Sequence, residues 1–126
     1  MKYLILLPGV IHIYIFVLES FLWDTPLGRK SFRMTVADAA TSKALAFNQG
    51  FYNLFLALAV IIGFCLWMGF IPGAPAAGYG IMLFGLSAIT LAGLVLIASS
   101  PAMWTAALLQ IVPAVLGLGL ALARFA

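Results

Sequence analysis

Charge is what this sequence has least of. Only 7% of its 126 residues are Asp, Glu, Lys or Arg, against roughly 25% in soluble domains, which excludes an ordinary water-exposed surface. Cysteine is almost absent. Cys65 stands alone, so neither an internal disulfide nor a c-type haem attachment can form. It falls in an apolar run and reads as a small packing residue. The single histidine, His12, is far from that cysteine, and no structural zinc site is expected. The sequence has no Gly-rich phosphate loop, no nucleophile elbow of a Ser-His-Asp hydrolase and no internal repeat of the kind that builds inverted-repeat transporters. No metal and no cofactor is expected.

What remains is apolar: 66% of the residues are hydrophobic. At about 20 residues per bilayer crossing, the chain divides into four spans, 3–22, 43–70, 79–98 and 102–122. Asp24-Thr25-Pro26 ends the first, with Trp23 as an interfacial anchor, and Pro8 is close enough to the start to cost little. Thr35 and Asp38 have the spacing of a capping box, which predicts a helical lead-in from Val36 into the second span. Residues 71–78, with Pro72, Gly73 and Pro75, form a turn. Ser100 is expected as an N-cap with Pro101 at the first helical position, and Pro113 should kink the last span, freeing the Leu109 carbonyl. The expected fold is all-α, a four-transmembrane-helix bundle forming a single domain over 1–126, with the lipid bilayer as its first partner. Lys2 followed by an apolar stretch imitates a signal peptide, but Glu19 interrupts the run and no A-x-A-like cleavage site follows.

The basic residues orient the spans. Arg29, Lys30, Arg33 and Lys43 lie in or beside the 24–42 connection, whereas the other side carries Lys2 and Arg124. The positive-inside rule then places 24–42 in the cytoplasm and both termini outside. These cations read as topology determinants touching anionic lipid, and no nucleic-acid partner is expected.

Against this background, ionisable and amide side chains inside the spans stand out. His12 and Glu19 are seven residues apart in the first span, almost two turns, so they share one helix face. An ionisable group at membrane depth costs roughly 2.5–3.5 kcal/mol on insertion scales and usually faces a partner, cavity or pathway. The second span contains Asn48-Gln49-Gly50-Phe51-Tyr52-Asn53, and three amides within six residues are costly in hydrocarbon unless paired. Depth arithmetic at 1.5 Å per residue puts Asn48 and Gln49 near Glu19, and Asn53 near His12. Ser87, Thr90 and Gln110 fall in the same half of the membrane or at its midplane, and each taken singly reads as a packing or back-bonded residue. The expected site is therefore a buried polar cluster of His12, Glu19, Asn48, Gln49, Tyr52 and Asn53.

The run from His12 through Glu19 to Trp23, then Thr25-Pro26-x-Gly28-Arg29, then Asn48-Gln49-Gly50-x-Tyr52-Asn53 followed by Leu56-Ala57, resembles a bacterial inner-membrane family catalogued as domain of unknown function 1304. The resemblance covers most of the chain, with its specific motifs in the first half. It implies a small four-helix integral membrane protein of the bacterial inner membrane and carries over no activity, substrate or catalytic residue.

Three functions fit the residues. The first is a small-molecule or proton-coupled binding or transport site, with Glu19 exchanging a proton or a cation and a lipophilic or cationic small molecule as partner. The second is a membrane-embedded acid–base enzyme, isomerase-like, in which His12 and Glu19 act on a lipophilic substrate. The third is a structural or accessory subunit whose polar cluster only fixes helix packing. Ala88/Ala92, Gly117/Ala121 and Gly119/Ala123, small residues four apart, would also suit a homodimer.

Overall fold

In a computed structural model, residues 1–124 form five α-helices and two 3-10 turns. A 3-10 turn, Lys2–Leu6, leads into α1 (Leu7–Ser20). The short α2 (Pro26–Ser31) follows, then the long α3 (Val36–Trp67) and α4 (Pro75–Ser99). A second 3-10 turn, Pro101–Met103, leads into α5 (Trp104–Ala123). No strand occurs among the described residues. Four segments, Lys2–Ser20, Val36–Trp67, Pro75–Ser99 and Pro101–Ala123, are long and apolar enough to cross a membrane. Only 22–33% of their most apolar windows is buried within the protein. Most of that apolar surface faces outward, where a bilayer is the solvent that accommodates it. The chain is an all-α membrane protein with four transmembrane helices.

Local chemistry explains where the boundaries moved. Thr25-Pro26 ends one helix and starts another: Thr25 Oγ1 accepts from the Gly28 N–H at 3.2 Å and Pro26 occupies the first turn of α2, an arrangement that suits proline. A helix inside the polar connection was not expected from the charge pattern. α3 begins at Val36 as the capping spacing predicts, with Thr35 Oγ1 accepting from the Asp38 N–H at 3.1 Å. At 32 residues it is about 48 Å long, well beyond the ~30 Å hydrocarbon core, so roughly its first three turns project past it. α4 starts at Pro75, four residues before the expected 79, because that proline takes the first turn. Ser100 makes no side-chain capping bond, and a 3-10 turn intervenes before α5. α5 runs unbroken through Pro113.

The chain forms two compact units, residues 1–11 with 56–126 and residues 12–55. The first is a bundle of four helical segments. Its core joins Ile5 of the lead-in, Val60 and Phe64 of α3, Met82, Leu86 and Ile89 of α4, and Ala114 and Ala121 of α5. Gly117 packs under Leu86 and beside Ile5, so the Gly117/Ala121 pair serves packing inside the unit. Closest of all is the α3–α4 crossing at Gly63 and Gly78, where backbone nearly touches backbone. The second unit holds most of the expected polar cluster and is described next.

Candidate functional site

In the second unit α1 and α3 meet along a seam with Gly50 at its centre. A Cβ at this position would collide with Ser20 Oγ and lie 3.0 Å from the Ser20 nitrogen and 3.1 Å from the Phe16 carbonyl oxygen. Glycine is therefore required by the close approach of two helices. Ser20 uses that proximity to donate its hydroxyl to the Phe47 carbonyl at 2.9 Å, satisfying a polar group that membrane surroundings would otherwise leave costly.

With 100° per residue, the two flanks of the seam carry different chemistry. Phe47 and Phe51 lie on one side and join Phe16 and Phe21 in a cluster of edge-on and tilted rings: Phe16–Phe51 centroids are 5.0 Å apart, Phe47–Phe51 5.2 Å and Phe16–Phe21 5.4 Å. Such pairs add about 0.5–1.5 kcal/mol each beyond burial. Asn53 lies on the other side. Its Nδ2 donates to Glu19 Oε2 at 2.6 Å and more weakly to the Gln49 carbonyl at 3.4 Å. Glu19 is only 5% exposed. The Lys/Arg–carboxylate ion pair among the described residues joins Arg29 to Asp24 at 3.0 Å, and Glu19 has no such cation beside it. The short distance is that of a charge-assisted bond.

The structure divides the expected cluster. Glu19 and Asn53 are joined, and His12 is fully buried. Seven residues nevertheless separate His12 from Glu19 by about 10 Å along α1, too far for a direct hydrogen bond. Asn48, Gln49 and Tyr52 are exposed, and the expectation that they belong to a buried cluster is corrected. Asn48 and Tyr52 fall on the face of α3 turned away from Gly50, whereas Gln49 shares the Asn53 flank but lies farther from the seam, a consequence of the helical period that depth arithmetic alone does not capture. Asn48 and Gln49 also sit level with Ser20, through its bond to Phe47, at the end of α1, where an amide can reach the polar interface. Thr90 donates to the Leu86 carbonyl at 2.9 Å, the back-bonded role expected of it.

Two contributors escaped the sequence reading. Ser20 follows Glu19 directly, yet its role depends on Gly50 being opposite, which no spacing reveals. Trp23, expected as an interfacial anchor, donates its indole N–H to Ser42 Oγ at 3.0 Å, and Ser42 in turn donates to the Asp38 carbonyl at 2.7 Å. With Trp23 packed at a tilt against Phe32, centroids 4.7 Å apart, these contacts tie the 24–42 connection to the first turns of α3. Arg29, counted as an orientation signal, is also half of the Asp24 ion pair.

The seam makes a testable demand. Gly50→Ala should destabilise the protein by about 1–3 kcal/mol, the usual range for overpacking. Adding Ser20→Ala removes the hydroxyl that the new methyl meets and should recover part of the loss in detergent melting curves. A fully neutral Gly50→Ala would disprove the close approach.

No curated protein and no solved structure matches this chain. Residues 6–122, nearly all of its length, match the family described as Protein of unknown function (DUF1304), and the chain belongs to that family.

Proposed function

We propose that Glu19 is a proton- or cation-exchanging carboxylate in a small-molecule binding or transport site. One observation carries this reading: a buried carboxylate in a transmembrane helix is held by a single amide and has no Lys or Arg beside it. A carboxylate in that position costs free energy that a glutamine would not, so a purely structural α1–α3 bond leaves its ionisability unexplained. A proton or an organic cation supplies the missing counter-charge. A packing-only role is the second reading, favoured by the direct Asn53 bond. Interhelical hydrogen bonds in membranes average only about 0.6 kcal/mol, which is little return for a buried carboxylate.

A lipophilic carbodiimide tests the exchange directly. It reacts with a protonated carboxyl in apolar surroundings, so labelling should map by mass spectrometry to Glu19 and decline as pH rises. Labelling confined to Asp24 and Asp38 would count against the proposal.

We place the protein in a bacterial inner membrane with the 24–42 connection cytoplasmic and both termini outside, a reading supported by the basic residues of that connection. In a Cys65→Ala background, Ser31→Cys and Ala76→Cys should label from opposite sides of sealed vesicles, Ser31→Cys from the cytoplasmic side. Labelling from one side would refute the four-span topology, and the reverse pattern would invert the orientation.

A further inference from the structure

The protein's three acidic residues are Glu19, Asp24 and Asp38, and all of them belong to the 12–55 unit. The other unit, residues 1–11 with 56–126, contains two basic side chains, Lys2 and Arg124, and no carboxylate side chain. Both cations lie against aromatic rings. Lys2 Nζ is 5.3 Å from the Tyr3 centroid, and Arg124 Cζ is 5.1 Å from the Trp67 centroid. A continuous aromatic row connects them: Tyr3 to Phe64 at 6.0 Å, Phe64 to Trp67 at 6.3 Å, and Trp67 to Tyr79 at 5.1 Å. Tyr79 donates its hydroxyl to the Ala121 carbonyl at 3.3 Å, which fixes the ring one turn from Arg124. Beside this row lies an open cavity of about 360 Å³ lined by Trp67, Pro75, Ala76 and Tyr79.

We propose that this end of the first unit is a binding site for a phosphate-headed, anionic membrane lipid. Arg124 has five N–H donors in a planar fork. Its hydrogen bond in the structure goes to the Met68 sulfur at 3.4 Å, a weak acceptor, and leaves most of that capacity for an anion. A phosphodiester accepts such a fork in bidentate fashion. Trp67 and Tyr79 are the residue types that sit at headgroup level, and the cavity beside them is apolar enough to take the start of an acyl chain. The occupant is a lipid because the cation, the aromatic row and the apolar cavity adjoin at one end of helices that cross the membrane. A soluble anion would use the cation alone.

The test is native mass spectrometry of the full chain released from vesicles of phosphatidylglycerol and phosphatidylcholine. Wild type should retain phosphatidylglycerol over phosphatidylcholine by about fivefold, the scale of one basic contact at a membrane surface. Arg124→Gln should abolish the preference, and Ala76→Trp should reduce retention by filling the cavity while leaving the cation in place. Lys30→Gln and Arg33→Gln, in the other unit, should lower it much less than Arg124→Gln does. An unaltered preference in Arg124→Gln, or an equal loss in Lys30→Gln, would overturn the site. Displacement of the lipid by inorganic phosphate would overturn the lipid as its occupant.

Discussion

Gly63→Ala should be among the most damaging single-methyl changes in the unit formed by residues 1–11 and 56–126. A Cβ at Gly63 would lie 2.6 Å from the Met82 nitrogen, 2.8 Å from the Gly78 carbonyl oxygen and 2.9 Å from the Met82 Cα. All three atoms are backbone, so no rotamer change relieves the contact, and α4 as a whole must move away from α3. The move would strip packing from Val60, Phe64, Met82 and Leu86, which form the middle of the core. In a membrane this matters more than in water, because helix association relies on close van der Waals packing rather than on expulsion of water. The expected cost is about 3 kcal/mol, the upper end of the overpacking range, seen as a large drop in melting temperature and as aggregation in detergent. Gly119→Ala, where an added Cβ meets nothing within 4 Å, is the matched control and should be neutral. Equal stability of the two variants would show that the α3–α4 approach is looser than described.

That contrast also shows what the sequence can and cannot disclose. Both glycines sit in apolar helices and look alike in the chain; only the neighbouring helix distinguishes them. Span number and type were legible because apolar run length and proline–glycine punctuation are local properties. Thr35 announced the start of α3 correctly because a cap acts within one turn. The α2 helix is hidden in the sequence because Thr25-Pro26, which reads as a helix stop, also caps and starts the next helix. In the site, Glu19 and Asn53 are legible as members of one polar cluster, but depth arithmetic sets Asn53 level with His12 rather than with Glu19, to which it is bonded. The exposure of Asn48, Gln49 and Tyr52 is not legible, since it depends on how α3 is rotated about its axis. That rotation is set by Gly50 meeting Ser20, a contact 30 residues apart in sequence and invisible to any periodicity.

The second large effect is functional. Glu19→Gln retains the side chain's shape and an oxygen for the Asn53 amide to donate to, and it removes the exchangeable proton and the charge. The bond loses its charge assistance, worth about 1 kcal/mol by the gap between charged and neutral hydrogen bonds. Removal of a buried carboxylate acts in the opposite direction and by a similar or larger amount. Stability should therefore stay the same or rise, in contrast to Gly63→Ala. Ligand binding should fall by at least about tenfold, since each tenfold corresponds to about 1.4 kcal/mol and the lost counter-charge is the central polar contact of the proposed site. Separation of the two readouts distinguishes a working carboxylate from one that only holds α1 against α3.

The most direct measurement is native mass spectrometry of wild-type and Glu19→Gln protein purified side by side in mild detergent. The proposed role predicts a small lipophilic or cationic molecule that co-purifies with wild type, dissociates as the pH is lowered through protonation of Glu19, and is missing from an equally well-folded Glu19→Gln. A ligand-free wild type, indistinguishable from Glu19→Gln at every pH, would contradict it and leave the Glu19–Asn53 bond as a packing contact.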